Sequence, residues 1–362
     1  MPEEYQNHLY TLILAGGGGT RLWPKSKNKT PKQFLKLFGG KTLTQITCER
    51  FALKLPWERM FCVTVSEEYK QEILKEVPQF LSGNIIVEPF RRDTAPAHAI
   101  GATIILQKDP EAVIITEAVD RLVSPIEKYL ETVETAAKVA FEKKVLVSIG
   151  VKPLYPHTGL GHIKIGQPLY REGTIAFYKV DRFVEKPSLE LAKEYTASGL
   201  YLWNAGQYVW RADVLLAAIE KYAPEIAANL HKIPEGLAKV YETMPTISID
   251  YAVSEKADNM VVIAADFLWT DIGDWNEVWK NLPKDGNNNV IIDGEVPGGE
   301  VINIDTNDTL IQTDGRLIAV IDVDNIIIVD TKDALLVCAK DRAQSVKQIV
   351  ETLKEKNRKE LL

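Results

Sequence analysis

The sequence predicts an α/β fold, a doubly wound sheet followed by a small all-β domain. Three observations lead there. The apolar run Tyr10–Leu14 ends in four consecutive glycines, Gly16–Gly19. Strand-like and helix-like segments then alternate through the first three quarters of the chain. Beyond Asn281–Asn289 (NLPKDGNNN) the texture changes to short apolar runs between turn signals.

The elements follow in order. Strands are expected at Leu9–Ala15, Phe61–Val65, Asn84–Val87, Ala112–Thr116 and Val145–Ile149. Ser124, Pro125 and Glu127 have the spacing of a helix-starting capping box. Ile126, Leu130, Val133, Ala137 and Ala140 continue an apolar helical stripe. A second helix is bounded by Ser188 and Gly199. Asn281–Asn289 reads as a linker, which divides the chain into domains 1–282 and 288–362. In the second domain, strands are expected at Val301–Ile304, Leu310–Ile311, Leu317–Ile321, Ile326–Val329 and Leu335–Val337. A closing helix is expected from about Ala343, with Val346, Ile349, Val350 and Leu353 apolar.

The glycine run is where the chemistry starts. Glycines at a strand end let the backbone turn sharply and approach a ligand. Their N–H groups form a concavity for anions, and phosphate is the anion that fits best. Thr20 and Arg21 add a hydroxyl and a guanidinium fork, and Lys32 in Pro31–Phe34 adds a second cation. The loop is not a Walker loop, because Gly19 is followed by Thr20-Arg21 rather than Lys-Ser/Thr. It is not the dinucleotide fingerprint either, because Arg21 stands at the third glycine and no strand-end acid follows about 20 residues on.

Composition bounds the rest. The chain has 362 residues, 46% hydrophobic and 26% charged, which suits a soluble protein of two or so domains. A net charge of −7 argues against non-specific nucleic-acid binding. Cys48, Cys62 and Cys338 lack metal spacing and lie in or beside apolar stretches, as buried free thiols do. A reduced, cytoplasmic setting is expected. Neither a signal peptide nor a membrane-spanning run is expected.

AGGGGTRLWP (Ala15–Pro24) followed by TPKQF (Thr30–Phe34) resembles the sugar-nucleotide pyrophosphorylases, in particular the mannose-1-phosphate guanylyltransferases. The resemblance extends over nearly the whole chain. It implies a nucleotide-diphospho-sugar transferase sheet and a C-terminal domain like a left-handed β-helix. It also implies a monofunctional form, without the isomerase domain of longer relatives. Leu14, Ala15, Gly16, Gly17, Gly18, Gly19 and Thr20 would bind nucleotide, with Arg21 and Lys32 as catalytic clamps on the triphosphate. Glu88, Arg92, Asp93, Thr94 and Pro96 would lie near the base. Gly161, Glu185, Lys186 and Asn204 would hold the sugar phosphate. Asp120 and Asp271 would hold Mg²⁺. Ser248–Lys256 matches a family motif whose role reads as structural, with Asp250 and Lys256 pairing or capping backbone.

The implied reaction is guanylyl transfer from GTP to mannose 1-phosphate. The sugar-phosphate oxygen attacks the α-phosphorus and pyrophosphate leaves in line. Two polyanions meet in this reaction, and like unit charges 4 Å apart repel by about 4 kcal/mol at an effective dielectric of 20. Cations and Mg²⁺ are therefore expected, and a catalytic Ser/His/Asp set is not. One alternative is the same chemistry on another sugar phosphate or nucleotide. Another is a non-catalytic nucleotide-sugar-binding relative, because Arg91, Asp93, Val119 and Arg121 depart from the family pattern and Arg121 is placed to pair with Asp120 and occupy the metal's place. The β unit and closing helix offer surfaces for a homodimer.

Overall fold

The computed structural model describes residues 3–294, 296 and 298–362. It divides into two compact units. The first comprises the segment up to Gly16, Cys48–Val119 and Val123–Trp269; the second comprises Gly17–Thr47, Asp120–Leu122 and Thr270–Leu362. Each unit is thus assembled from separate stretches of chain, a different division from the one the sequence texture suggests.

The strands up to residue 265 are β1 (Leu9–Ala15), β2 (Met60–Thr64), β3 (Ile85–Val87), β4 (Val113–Ala118), β5 (Arg121–Ser124), β6 (Leu146–Val151), β7 (His162–Glu172), β8 (Ile175–Val184), β9 (Tyr201–Arg211) and β10 (Met260–Ala265). Nine of them form one sheet in the order β3-β2-β1-β4-β9-β6-β10-β8-β7. The β3-β2-β1-β4 part is parallel, as expected for a doubly wound sheet. The sheet as a whole is mixed, because β9 runs antiparallel to both β4 and β6, and β8 antiparallel to β10 and β7. β5 pairs outside it with β11 (Leu268–Asp271).

Leu14 on β1 and Ala118 on β4 are register partners. Gly16 and Val119 therefore leave adjacent strands at the same carboxyl edge, where open α/β sheets bind ligands. The sheet's apolar run is buried on both faces: Leu12 is 1% and Ile13 0% exposed.

One local expectation is corrected. Ser124 does not open a capping box. It ends β5, extended Pro125 takes the N-cap position of the helix Ile126–Lys143, and that cap makes no side-chain hydrogen bond. The stripe behind it holds, with Leu130, Val133, Ala137 and Ala140 buried and Ile126 exposed. The helix Leu189–Ser198 follows its signals: Ser188 accepts from the Leu191 amide and Gly199 terminates it in the left-handed region.

In the second unit, β12 (Val290–Ile292), β14 (Leu310–Gln312) and β16 (Ile326–Asp330) stack in parallel register, and β17 (Leu335–Ala339) closes that sheet antiparallel. β13 (Glu300–Ile304) and β15 (Leu317–Ile321) form a second parallel pair. These are the rungs of a β-helix. The expected linker is part of it. Asn289 is 1% exposed, donates to the Thr306 carbonyl at 2.8 Å and accepts from the Thr309 amide at 3.0 Å. Asparagines here satisfy rung-end backbone groups that would otherwise be buried unpaired. The closing segment starts as a 3₁₀ turn, Lys340–Ser345, before the α-helix Val346–Glu355.

One core joins the glycine-loop segment to these rungs within the second unit. Leu22, Trp23, Leu35 and Leu37 are buried with Trp275, Val290, Leu310 and Ile327. The Trp275 indole donates to the Trp23 carbonyl at 3.0 Å, and the Trp23 indole to the Leu361 carbonyl at 2.9 Å. Full burial of one such side chain is worth about 1.5–3 kcal/mol. The β-helix is therefore the support on which the loop's geometry depends. Cys48 and Cys62 are buried free thiols, and Cys338 is half-buried and free. No helix among the described residues is long and apolar enough to cross a membrane.

Candidate active site

Two clusters lie in the first unit. Glu88 follows β3 and is 8% exposed. The Tyr241 hydroxyl donates to its Oε1 at 2.7 Å. Burial is the main cause that pushes the carboxyl up from its ordinary 4.5 to about 7, against the opposing Tyr241 hydrogen bond and Arg91 charge. Next to it, Arg92 donates to the Glu242 carbonyl at 3.4 Å. Asp93, at φ 66°, caps the helix Thr94–Lys108 by accepting from the Thr94 amide at 2.7 Å. Thr94 Oγ1 accepts from the Ile249 amide at 2.9 Å, and Pro96 is buried inside the helix.

The Glu88 environment has a measurable consequence. At pH below 4.5 folded and unfolded chains both hold the proton, so the contribution is fully present. As pH rises through about 7 the unfolded chain releases the proton first, and stability falls. Glu88→Gln is expected to remove that fall, on the order of 2–3 kcal/mol between pH 5 and 8. Urea denaturation of both proteins across this range is the check; an unchanged pH slope would contradict the assignment.

The second cluster sits on β7, β8 and β9. Asn204 donates to Asp250 Oδ1 at 2.7 Å and accepts from the Gly206 amide at 3.0 Å. Its own amide donates to the Gly161 carbonyl at 2.8 Å. Tyr208 also donates to Asp250 Oδ1. Asp250 is therefore the fixed acceptor that orients Asn204, and it does not pair with Lys256, which donates to the Tyr222 carbonyl at 3.4 Å. Of the two expected roles, the Asp250–Lys256 pairing is replaced by this network, while Lys256 does bind a backbone carbonyl. The Ser248–Lys256 segment also serves the first cluster, since the Ile249 amide donates to Thr94 Oγ1, and just before it Ile247 donates to the Arg92 carbonyl and accepts from the Ala95 amide.

Glu185 pairs with Lys186 at 2.5 Å; the Glu185 side chain is 10% exposed and that of Lys186 63%. Gly161 makes room for this carboxylate: a Cβ there would stand 2.5 Å from Glu185 Oε2 and 3.4 Å from Asn204 Cβ. The sequence expectation that this cluster holds the sugar phosphate predicts that Gly161→Ala raises the KM for that substrate about 10- to 100-fold with a smaller change in kcat, the cost of misplacing one charged hydrogen-bonding group. Steady-state kinetics check this; an unchanged KM would contradict the expected role of Glu185. His162 is buried, with Nδ1 3.1 Å from the Leu160 carbonyl, and burial pushes its pKa down.

The third cluster lies in the second unit. Gly19 has φ 62°, and a Cβ there would come 2.5 Å from Lys32 Cβ and 2.9 Å from Ser26 Oγ. The loop can therefore close over the Lys32 stem only with glycine in that place. Lys32, 9% exposed, pairs through Nζ with Asp120 Oδ2, and lies 3.5 Å from the Ile272 carbonyl and 3.9 Å from Asp271 Oδ1. The Ile272 amide donates to the Asp120 carbonyl at 3.0 Å, which ties the two carboxylate-bearing segments together. Arg21 is exposed, and its guanidinium stands 3.9 Å from where a Gly273 Cβ would be, the same distance as Asp271 Oδ1. Asp274 caps the helix Trp275–Asn281 and accepts from Gln344 at 2.6 Å, so it serves structure.

Sequence reasoning paired Arg121 with Asp120, as observed, but did not foresee its contact with Asp271. Arg121 NH1 stands 2.6 Å from Asp271 Oδ1 and 3.4 Å from Asp120 Oδ1. Burial works against the charge of Asp120; Arg121 and then Lys32 outweigh it and hold the carboxyl well below the usual carboxylate range. Among the described residues no group of three or more His, Cys, Asp or Glu converges on one point. A metal here would thus be held by two carboxylates, with phosphates and water completing its shell, as Mg²⁺ prefers.

The family is decided by comparison. A nucleotidyl transferase model matches residues 10–288, and a mannoseP isomerase/GMP-like beta-helix domain model matches 299–353. A mannose-1-phosphate guanylyltransferase of Escherichia coli is 36% identical over 367 residues, covering 97% of this chain and 75% of its own length. The chain belongs to the mannose-1-phosphate guanylyltransferase family. A mannose-1-phosphate guanylyltransferase of Klebsiella pneumoniae is 35% identical over 368 residues, again 97% of this chain and 75% of the relative. The crystal structure described as mannose-1-phosphate geranyltransferase from Thermus thermophilus superposes with a TM-score of 0.86 at 33% identity, over 96% of this chain and 99% of that one. The guanylyltransferase family thus accounts for both the mixed sheet and the β-helix rungs.

Proposed function

We propose that this chain transfers the guanylyl group of GTP to mannose 1-phosphate, giving GDP-mannose and pyrophosphate. The observation that carries the reading is the buried Lys32 ammonium, held by Asp120 beneath a loop that only glycine can form. An ammonium has three donors. Asp120 and the Ile272 carbonyl engage two directions and fix the nitrogen, which leaves donor capacity for a phosphate oxygen.

In the reaction an oxygen of the sugar phosphate forms a bond to the α-phosphorus of GTP. The bond from that phosphorus to the β-bridging oxygen breaks, and pyrophosphate leaves with the electron pair. No group of the protein is acylated or phosphorylated. Arg21 and Lys32 stabilise charge on the triphosphate, and the N–H groups of the Gly16–Gly19 loop hold it. Glu185 and Asn204 bind sugar hydroxyls, Lys186 meets the sugar phosphate, and Glu88 with the Arg92–Pro96 segment serves the base.

The nucleotidyl transferase family works with a divalent metal, which we take to be Mg²⁺. Asp120 and Asp271 fit it: both are hard oxygen donors, and Oδ1 of each is buried without a hydrogen bond. Bound there, the ion would neutralise phosphate charge. A cytoplasmic location suits an enzyme that consumes GTP, and a homodimer through the β-helix is testable by light scattering.

Pyrophosphate release measured over a matrix of GTP, ATP, UTP and CTP against mannose 1-phosphate and glucose 1-phosphate tests the reading. The GTP and mannose 1-phosphate combination is expected to give the highest kcat/KM. A different best pair would reassign the substrates, and release with no pair would leave a binding protein.

A further inference from the structure

The site that would receive the metal already contains a cation of the chain's own. One guanidinium nitrogen of Arg121 stands within ion-pair distance of both carboxylates, 2.6 Å from Asp271 and 3.4 Å from Asp120. Lys32 takes the other oxygen of Asp120. The four groups carry two negative and two positive charges, so the free site is close to neutral. The Arg121 and Asp120 side chains are both 15% exposed, so water screens little of this attraction.

We infer that Arg121 is a resident cation that a divalent metal must displace, and that it thereby couples metal binding to nucleotide binding. The inference rests on Asp120 and Asp271 being the metal ligands. The Oδ1 atoms facing Arg121 are both buried without a hydrogen bond, so the guanidinium and a metal compete for the same donors. With Arg121 in place, a divalent ion would meet like charge at contact. Triphosphate oxygens arriving with the metal give the displaced guanidinium a new partner, since its fork matches phosphate geometry. Free protein therefore binds the metal weakly, and nucleotide raises its affinity. By linkage the metal raises nucleotide affinity by the same factor.

The test is Mn²⁺ binding to nucleotide-free protein, followed calorimetrically and by the loss of the free-ion paramagnetic signal. Arg121→Gln and Arg121→His are each expected to bind Mn²⁺ at least about 10-fold more tightly than the parent, with native circular dichroism. Adding Asp271→Asn to Arg121→Gln is expected to cancel the gain. Equal or weaker Mn²⁺ binding by both single variants would overturn the inference. If Asp271→Asn in the parent still abolished metal-dependent turnover, the ligand assignment would survive that result. A gain that persisted in the double variant would place the metal elsewhere and overturn both.

Discussion

Replacing Lys32 with alanine is expected to lower kcat about 10²- to 10³-fold while leaving the protein folded. Losing one preorganised donor to developing charge costs about 3–4 kcal/mol of transition-state stabilisation. The cost to folding is smaller because Asp120 keeps its second partner, Arg121, so no carboxylate is left buried without a countercharge. The Lys32 stem also fills the space beneath Gly19, and some loop order is lost with it. Pyrophosphate release and a thermal melt, run on the same preparation, separate the two effects. Near-normal turnover, or loss of turnover only in step with unfolding, would remove Lys32 from the chemistry.

Asp271→Asn should cost about 10³-fold in kcat, near 4 kcal/mol. Excess Mg²⁺ is not expected to restore it, because the amide keeps the shape but loses the charge that holds the ion. Arg121 loses its nearest carboxylate at the same time but keeps Asp120, so it stays beside the remaining carboxylate. Titrating Mg²⁺ against turnover distinguishes these effects. Full recovery at high Mg²⁺ would mean that Asp271 only tunes affinity.

Much of this was legible because local signals and global fold agree. The run Leu9–Ala15 is a strand in its full length, since an apolar run bounded by glycines has no better use. The helix Leu189–Ser198 lies between the Ser and Gly that mark its ends. The long hairpin of β7 and β8 was not legible. Its faces are half solvated, so Lys164, Gln167, Lys179 and Asp181 interrupt the apolar pattern, and register shifts break the alternation. Asn281–Asn289 misleads for a related reason: asparagine suits a linker, and it also suits a rung end where Asn289 binds backbone on neighbouring turns.

At the site, single residues were readable and their partnerships were not. Glu185, Asn204, Asp120 and Asp271 stand in distinctive motifs. Asp250 as the anchor of Asn204 was hidden, because 46 positions separate them and Lys256 lies closer in sequence. Arg121 was visible as a neighbour of Asp120, but its contact with Asp271 depends on the Asp120–Ile272 backbone hydrogen bond, which no local pattern encodes. The contribution of the β-helix was hidden too: it packs Leu22 and Trp23, so changes to the rungs are expected to reach the glycine loop.

The most direct test is to follow GTP and mannose 1-phosphate with the purified protein and Mg²⁺ by phosphorus nuclear magnetic resonance. Loss of the GTP signals should be matched mole for mole by pyrophosphate and by the two coupled phosphorus signals of GDP-mannose, and omitting Mg²⁺ should stop both. GTP consumed to GDP and phosphate, or no product despite bound substrates, would contradict guanylyl transfer as the activity of this chain.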